Sequence, residues 1–262
     1  MKEYLKLFPN GFDETLTERR AVENYPFVGY DEVTEELVFT IIPKPVTDPA
    51  DNEIWYTSSD GNVVTPSAAD GFGGEIVSNT YEDGKGVIKF KYTVPRVIDY
   101  AFYNCDSLTS IILPNRVKSI GMNAFEDCSS LISIVIPDGV TSIEWAAFKD
   151  CSSLTSIVIP ESVKSIGDWA FGGCSSFTTI VIPDSVTSIG DYAFRNCTSL
   201  SSIVIGNSVT SIGIETFWNC PSLTSITFKG TVEQWNNINK YSDWNWEFPA
   251  TYVQCTDGQV TL

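Results

Sequence analysis

The sequence contains no histidine and few basic residues, and these two shortages exclude several classes of function. Without histidine the chain cannot form a Ser-His-Asp or Cys-His catalytic arrangement, and it offers no imidazole ligand to a metal ion. Its 16 Lys and Arg residues stand against 33 Asp and Glu residues, a formal net charge of −17. Because no basic face is available, binding to nucleic acid or to an anionic membrane surface is not expected.

Long apolar runs and catalytic motifs are also missing. No stretch approaches the roughly 18 apolar residues of a membrane-spanning helix, so membrane insertion is not expected. Residues 1–7 lack the apolar core of a secretory signal peptide, which leaves three alternatives open: an internal protein, export by another route, or a leader already removed. We find no G-x-S-x-G, phosphate-loop or G-x-G-x-x-G motif, and therefore predict neither an enzyme nor a cofactor.

What the sequence does contain is a repeat of 23 residues. The segment CSSLTSIVIPESVKSIGDWAFGG from Cys151 is followed by CSSFTTIVIPDSVTSIGDYAFRN from Cys174. A fixed period of this length predicts a solenoid, in which each copy packs on its neighbours. With an eroded copy before the first cysteine, the array is predicted to run from about 82 to about 229, in about seven turns. The cysteines at this spacing are Cys105, Cys128, Cys151, Cys174, Cys197 and Cys220.

One copy shows what each part of the repeat is expected to do. Residues 157–159 alternate inward, outward and inward, as a β-strand requires, and Pro160 ends the strand because it has no N–H to donate. Val163 and Ile166 form a second short apolar pair, and Phe171 is expected to fill the interior. A single copy cannot bury enough apolar surface to offset its ordering entropy, so the copies must stack.

The pattern L-x-x-I-x-I-P-x-x-V-x-x-I-G-x-x-A-F-x-x-C resembles the BspA-like, Treponema-type leucine-rich repeat. The resemblance covers about 148 residues of the chain. It implies a right-handed repeat solenoid with a parallel sheet on its concave face. It also implies a secreted or surface-exposed bacterial protein that adheres to host proteins, such as those of the extracellular matrix, or to other cells.

The first 47 residues are predicted to form a small separate module of mixed α/β or hairpin structure. Its expected elements are a strand at Tyr4–Phe8, a helix at Asp13–Asn24, and a hairpin of Phe27–Val33 with Glu36–Ile42.

Residues 48–81 are expected to cap the N-terminal end of the solenoid, which itself spans 82–229. This cap is predicted to contain a hairpin that joins Ile54–Tyr56 to Val63 and Val64 through a turn at 59–62. Without such a cap, the first strand of a parallel sheet would present an open edge that invites aggregation.

Residues 230–262 are expected to cap the other end. Thr231 and Gln234 have the spacing of a capping box at the start of a short helix. Residues 252–255 and 260–262 are predicted to form a closing hairpin around Asp257-Gly258.

The regularly spaced cysteines are predicted to be buried, reduced thiols. Equivalent positions in stacked strands lie about 4.8 Å apart with parallel Cβ vectors, whereas a disulfide needs converging Cβ atoms about 3.8 Å apart. Zinc sites need close pairs such as C-x₂-C, so no metal site is predicted here. Cys255 lies outside the series, and its two alternatives are a reactive thiol or a member of the cap's core.

A row of acidic residues follows the strand proline in successive copies, at Asp138, Glu161 and Asp184. Such a row could supply some of the six to eight oxygens of a calcium site, but acidic residues are also ordinary in turns. A pair of nearby carboxylates could also serve a glycosidase, although no insertion that would build a pocket interrupts the repeat.

The outward strand positions form the first candidate binding surface, an uncharged apolar row flanked by hydroxyl groups. Its alternative is that β-branched residues simply favour strands. The predicted partner-binding residues on this concave face are Ile112, Val135, Val158, Val181, Val204, Ser133, Ser156 and Thr179.

Aromatic residues at the turns form the second candidate surface: Tyr100, Trp145, Trp169 and Tyr192. They could stack on sugars or anchor a protein partner, and the alternative is packing against their own loops.

These observations favour a non-catalytic binding or adhesion protein whose partner is a protein or a glycan. The alternative is a structural or assembly component attached through residues 1–47. The resemblance implies a cell-surface or secreted location. The identity of the ligand and the oligomeric state stay open.

Overall fold

A computed structural model describes residues 48–67, 75–246 and 248–262, together with two short strands near the N-terminus. The chain divides into two compact units, Met1–Thr47 and Asp48–Leu262. In the first unit, β1 (Gly29–Asp31) pairs antiparallel with β2 (Glu36–Val38), within the segments predicted as a hairpin. The predicted strand at 4–8 and helix at 13–24 lie outside the described residues.

Three strands precede the repeats in the second unit: β3 (Glu53–Ser58), β4 (Ile76–Glu82) and β5 (Lys85–Phe90). They form part of a sheet with the order β4-β5-β3, and β3 also pairs antiparallel with the first strand of the repeats, β6 (Leu108–Ile112). The edge of β6 thereby gains backbone hydrogen-bond partners that the eroded first copy does not supply.

This arrangement corrects two predictions made from the sequence. The hairpin expected between Ile54–Tyr56 and Val63-Val64 is wrong: Ile54 faces Ile88 of β5, Tyr56 faces Ile111 of β6, and residues 63 and 64 lie in no strand. The eroded copy buries the apolar positions it shares with later copies, Ile88, Phe90, Val94, Val97, Ala101 and Phe102, but β3 separates its strand β5 from β6. The parallel solenoid therefore has about six turns, rather than about seven.

The repeats form two rows of parallel strands, which we call the long sheet and the short sheet. In both, equivalent residues of neighbouring copies pair in register, as Ser202 does with Ser225. After β6, the strands follow in chain order as β7 (Ser119–Ile120), β8 (Ser133–Val135), β9 (Ser142–Ile143), β10 (Ser165–Ile166), β11 (Thr179–Ile182), β12 (Ser188–Ile189), β13 (Ser202–Ile205), β14 (Ser211–Ile212) and β15 (Ser225–Phe228). The two-residue strands, together with one from the C-terminal cap, make up a continuous short sheet.

The long sheet is interrupted at the third repeat. Residues 154–159 are not in a strand, and the backbone N–H of Thr155 lies 3.4 Å from the Ile132 carbonyl, a long hydrogen bond. The predicted strand at 157–159 is therefore not formed. The alternation it predicted is present all the same, because Ile157 and Ile159 are buried and Val158 is 53% exposed.

Stacked phenylalanine rings fill the interior, one from each turn. Neighbouring rings are nearly parallel, with centroids 5.2 to 5.6 Å apart. This spacing is in the range of favourable offset stacking. The stack consists of Phe102, Phe125, Phe148, Phe171, Phe194 and Phe217, all fully buried.

The predicted buried thiols are confirmed, and all seven cysteines are free. From Cys128 to Cys220, each Sγ donates to the carbonyl of a stacked phenylalanine 26 residues earlier, at 3.0 to 3.2 Å. Cys255 is 4% exposed and burial raises the pKa of its thiol, which favours its alternative role as a member of the cap's core.

The C-terminal cap continues both sheets after the repeat has ended. It contains α1 (Val232–Asn237), β16 (Asn239–Lys240), β17 (Tyr252–Cys255) and β18 (Gly258–Thr261). The capping box of Thr231 and Gln234 is confirmed, as is the closing hairpin. β16 adds to the short sheet and β17 to the long sheet. No helix of the described residues is long and apolar enough to cross a membrane.

Candidate functional site

The first candidate surface is the outward side of the long sheet, which we call the open face. Ile134, Ile157 and Ile180 point into the core and the residues that follow them point outward, an alternation that residues 157–159 keep without forming a strand. Val135, Val158 and Val181 are 38%, 53% and 52% exposed. The two remaining residues of the predicted apolar row, Ile112 and Val204, are half-buried.

Hydroxyl groups and further apolar groups flank this row. Ser133, Ser156 and Thr179 lie two residues before the exposed valines, on three successive turns, and are half-buried. Beyond them Ile132 is 50% exposed. These positions of the open face carry no charged side chain, although the chain as a whole carries a net charge of −17.

Trp55 extends the apolar row beyond the repeats. It faces Ile112 across β3 and β6, while its neighbours in β3, Ile54 and Tyr56, point into the core. The Nζ atom of Lys85 lies 3.0 Å from the centroid of the Trp55 ring. The 23-residue period gives no sign of this contact, because β3 comes from outside the repeat.

The second candidate surface is the turn that follows each short strand, and we call the row of these turns the turn edge. Tyr100, Trp169 and Tyr192 occupy equivalent positions there, with backbone φ angles of 58° to 60°. This left-handed conformation is costly for a bulky residue. A second left-handed position four residues later instead carries residues that tolerate it: Asn104, Asp127, Asp150, Gly173, Asn196 and Asn219.

The structure separates the predicted turn aromatics into two groups. In the C-terminal group, the aromatic side chains pack against one another. The rings of Trp169 and Tyr192 stack with centroids 4.7 Å apart. The Arg195 guanidinium lies 5.4 Å from both rings and 4.1 Å from the Trp218 ring. Its Nη1 donates to the Glu215 carboxylate at 2.7 Å. For Trp169 and Tyr192 the alternative of packing against their own loops therefore describes their contacts.

Sequence reasoning missed Arg195 and Trp218 as members of this group. Both lie three residues after the left-handed position of their turns, next to it on the turn edge. Gly172 has the same position one turn earlier, and a Cβ atom there would come within 2.7 Å of the Trp169 ring. The missing side chain leaves room for that ring, a signal that can be read from the sequence only once the turn geometry is known.

The N-terminal group of turn aromatics is exposed. Tyr100 is 50% and Trp145 is 42% exposed. Tyr103 and Met122, which lie beside them, are 39% and 47% exposed. The Tyr100 and Tyr103 rings meet edge to face with centroids 5.8 Å apart.

The acidic row proposed as part of a calcium site points to solvent. Asp138, Glu161 and Asp184 are exposed. Asp184 accepts a hydrogen bond from the Asn207 backbone at 3.2 Å and pairs with Lys229 at 3.6 Å, both ordinary contacts between turns. Among the residues that the structure describes, no group of three or more Cys, Asp or Glu side chains is arranged to hold a metal ion.

The sequence model of the BspA type leucine rich repeat region matches six copies, over residues 85–175 and 119–242. The chain belongs to this family. The family's repeats fit a binding or adhesion role in general terms, and its proteins are generally non-catalytic. A search of curated proteins gave no match.

Solved structures similar to this chain include a leucine-rich repeat protein of T. pallidum. It is 39% identical in sequence, with a TM-score of 0.50, and the match covers 51% of this chain and 63% of that one. A leucine-rich repeat protein from Bacteroides ovatus is 23% identical, with a TM-score of 0.40 over 67% of this chain and 66% of that one. A leucine rich cell surface protein from Faecalibacterium prausnitzii is 29% identical, with a TM-score of 0.36 over 57% and 61%. The chain thus spans less than two thirds of the length of each.

Proposed function

We propose that this chain is a non-catalytic binding or adhesion protein that recognises a protein partner through the open face of its long sheet. The observation that carries the proposal is the row of Val135, Val158 and Val181, exposed on successive turns of a fold that could have placed charged residues there. Exposed apolar side chains in a contiguous patch mark interaction surfaces.

The dimensions and chemistry of the open face favour a protein over a glycan. Six strand positions at a spacing of about 4.8 Å extend over about 24 Å, comparable with one side of a standard protein interface. An apolar centre with hydroxyl groups beside it resembles the core and rim of such an interface. We also propose a cell-surface or secreted location, which membership of the family implies.

Replacing Val158 with lysine tests the open face directly. Because Val158 is 53% exposed, Val158→Lys is expected to change the free energy of unfolding by less than about 1 kcal/mol. The charge would have to be desolvated in a complex, so binding to the partner is expected to weaken at least about tenfold. The measurement is saturable binding of the purified chain to an immobilised panel of host matrix proteins and glycans.

Two controls make the result interpretable. Val158→Thr keeps the branched shape and introduces the residue found at the equivalent position 227, so it should bind as the unmodified chain does. A chain without residues 1–47 should also bind, whereas an assembly component attached through that module would lose its partner. A folded Val158→Lys variant with undiminished binding would place the partner elsewhere on the molecule.

A further inference from the structure

The exposed N-terminal part of the turn edge forms a second surface, which the open face does not include. We call Tyr100, Tyr103, Met122 and Trp145 the aromatic patch. Backbone hydrogen bonds join its three turns: Tyr100 donates to the Met122 carbonyl at 2.8 Å, and Asn123 to the Trp145 carbonyl at 2.9 Å. The patch is therefore continuous across neighbouring turns, with every member at least 39% exposed.

Carboxylates bracket the patch along the solenoid. Met122 and Trp145 share a column of equivalent positions with Asp99 on the turn before and Asp168 on the turn after. Both aspartates are exposed. Each carboxylate also joins its turn to the next one: Asp99 accepts a hydrogen bond from the Met122 N–H at 3.0 Å, and Asp168 accepts one from the Asp191 N–H at 2.9 Å. A ligand on this column meets apolar groups flanked by negative charge on both sides.

The surrounding turn residues are acidic as well. Residues 99–106, 122–129 and 145–152 contain five carboxylates and one basic side chain. That basic residue, Lys149, is already paired with Glu126 at 2.6 Å and with Asp150 at 3.0 Å. Arg96, just outside these segments, makes an exposed pair with Asp99 at 3.5 Å, a weak contact in water. The charge of the patch therefore complements a cationic partner.

The same turn edge already holds a guanidinium in its C-terminal part. There Arg195 lies over three aromatic rings and pairs with the Glu215 carboxylate at 2.7 Å. Aromatic faces and a carboxylate are the groups that recognise arginine, through stacking and cation–π contact on one side and ionic hydrogen bonds on the other. The aromatic patch offers these two kinds of group to an arginine from outside.

We propose that the aromatic patch, with Asp99 and Asp168, binds an arginine-rich segment of a partner protein. Guanidinium groups would stack on the Tyr100, Tyr103 and Trp145 rings while the flanking aspartates pair with them. The open face takes no part, so this proposal does not depend on the function proposed above. Arginine is favoured over lysine because its planar group stacks on rings as well as pairing with carboxylates.

The test uses the full chain and a hexa-arginine peptide, measured by titration calorimetry at physiological salt. Trp145→Ala leaves the charge of the chain unchanged and is expected to weaken binding about tenfold, as loss of a tryptophan anchor does. The matched control is Trp246→Ala, which removes a tryptophan that is 54% exposed in the C-terminal cap and should leave binding unchanged. Hexa-lysine, with the same charge, should bind several-fold more weakly than hexa-arginine.

Two further variants separate this surface from others. Asp168→Asn is expected to weaken hexa-arginine binding several-fold and to reduce its salt dependence. Val158→Lys should change the affinity for hexa-arginine by no more than about twofold, the effect expected of one distant charge. A failure of the open-face proposal can therefore be told from a failure of the aromatic-patch proposal. The proposal is overturned if Trp145→Ala and Trp246→Ala bind alike, or if the two peptides bind equally, since the attraction is then only that of an acidic chain.

Discussion

Raising the pH from 8 to 10 is expected to lower the free energy of unfolding steeply. Burial raises the pKa of the Cys105 thiol to about 11 and that of Cys220 to about 12, and it raises those of the four thiols between them as well. An unfolded cysteine has a pKa of about 8.5. Above that pH the unfolded chain releases protons that the folded chain keeps, so stability is fully present below pH 8.5 and is lost as the pH rises.

The effect is large because six thiols act together. Each contributes roughly 1 kcal/mol of lost stability for every pH unit above about 8.5, so the six together remove several kcal/mol per unit. The free energy of unfolding is measured by urea denaturation at half-unit steps of pH, with a reducing agent present. Cys174→Ala serves as the control. Whatever its stability at neutral pH, its free energy of unfolding should fall less steeply with pH, because five buried thiols contribute to the slope instead of six. A free energy that stays level from pH 8 to pH 10 would contradict the assignment of buried, neutral thiols.

Replacing Phe171 with alanine is expected to lower the free energy of unfolding by about 3–5 kcal/mol. Phe171 is fully buried, and its ring stacks between Phe148 and Phe194 at 5.5 and 5.4 Å. It also meets Phe177 edge to face at 5.7 Å. Alanine would leave a cavity in the middle of the stack, where turns on both sides hold the surrounding atoms in place.

Urea denaturation at pH 7 checks this expectation. Val181→Ala is a suitable comparison, because Val181 is on the next turn but 52% exposed, and its loss should be below about 1 kcal/mol. Phe171→Leu, which refills most of the volume, should fall between the two. Equal losses for Phe171→Ala and Val181→Ala would mean that the ring stack does not support the fold.

The sequence predicted the parts of the fold that repeat. The same residue type recurs every 23 positions, as phenylalanine does at Phe148 and cysteine at Cys174, and these positions are buried. This recurrence indicates which side of each turn faces the core. The capping box at Thr231 was also predictable, since its signal is local. These features follow from spacing and side-chain chemistry alone, without knowledge of what packs against the repeat.

The features that the sequence did not reveal come from contacts between distant segments. β3 inserts beside β6 because the first strand of the sheet lacks a neighbour, and a pairing over more than 50 residues leaves no periodic trace. Likewise, the period places Trp169 and Tyr192 in one column but does not show which way their rings turn. Only the turn geometry shows that Gly172 makes room for the Trp169 ring. It also shows that the Arg195 guanidinium contacts the rings of Trp169, Tyr192 and Trp218.

Antiparallel strands stand at both ends of the described long sheet, with β3 before the first repeat and β18 after β17. They space their hydrogen bonds differently from parallel strands, so the parallel register of the repeats does not continue past either end. The turns between them share one 23-residue pattern. Gene duplication or loss of one 23-residue unit would therefore lengthen or shorten the surface in steps of about 4.8 Å while both ends stay intact. The length of the binding surface can therefore change by one repeat at a time, independently of the side chains that any one turn displays.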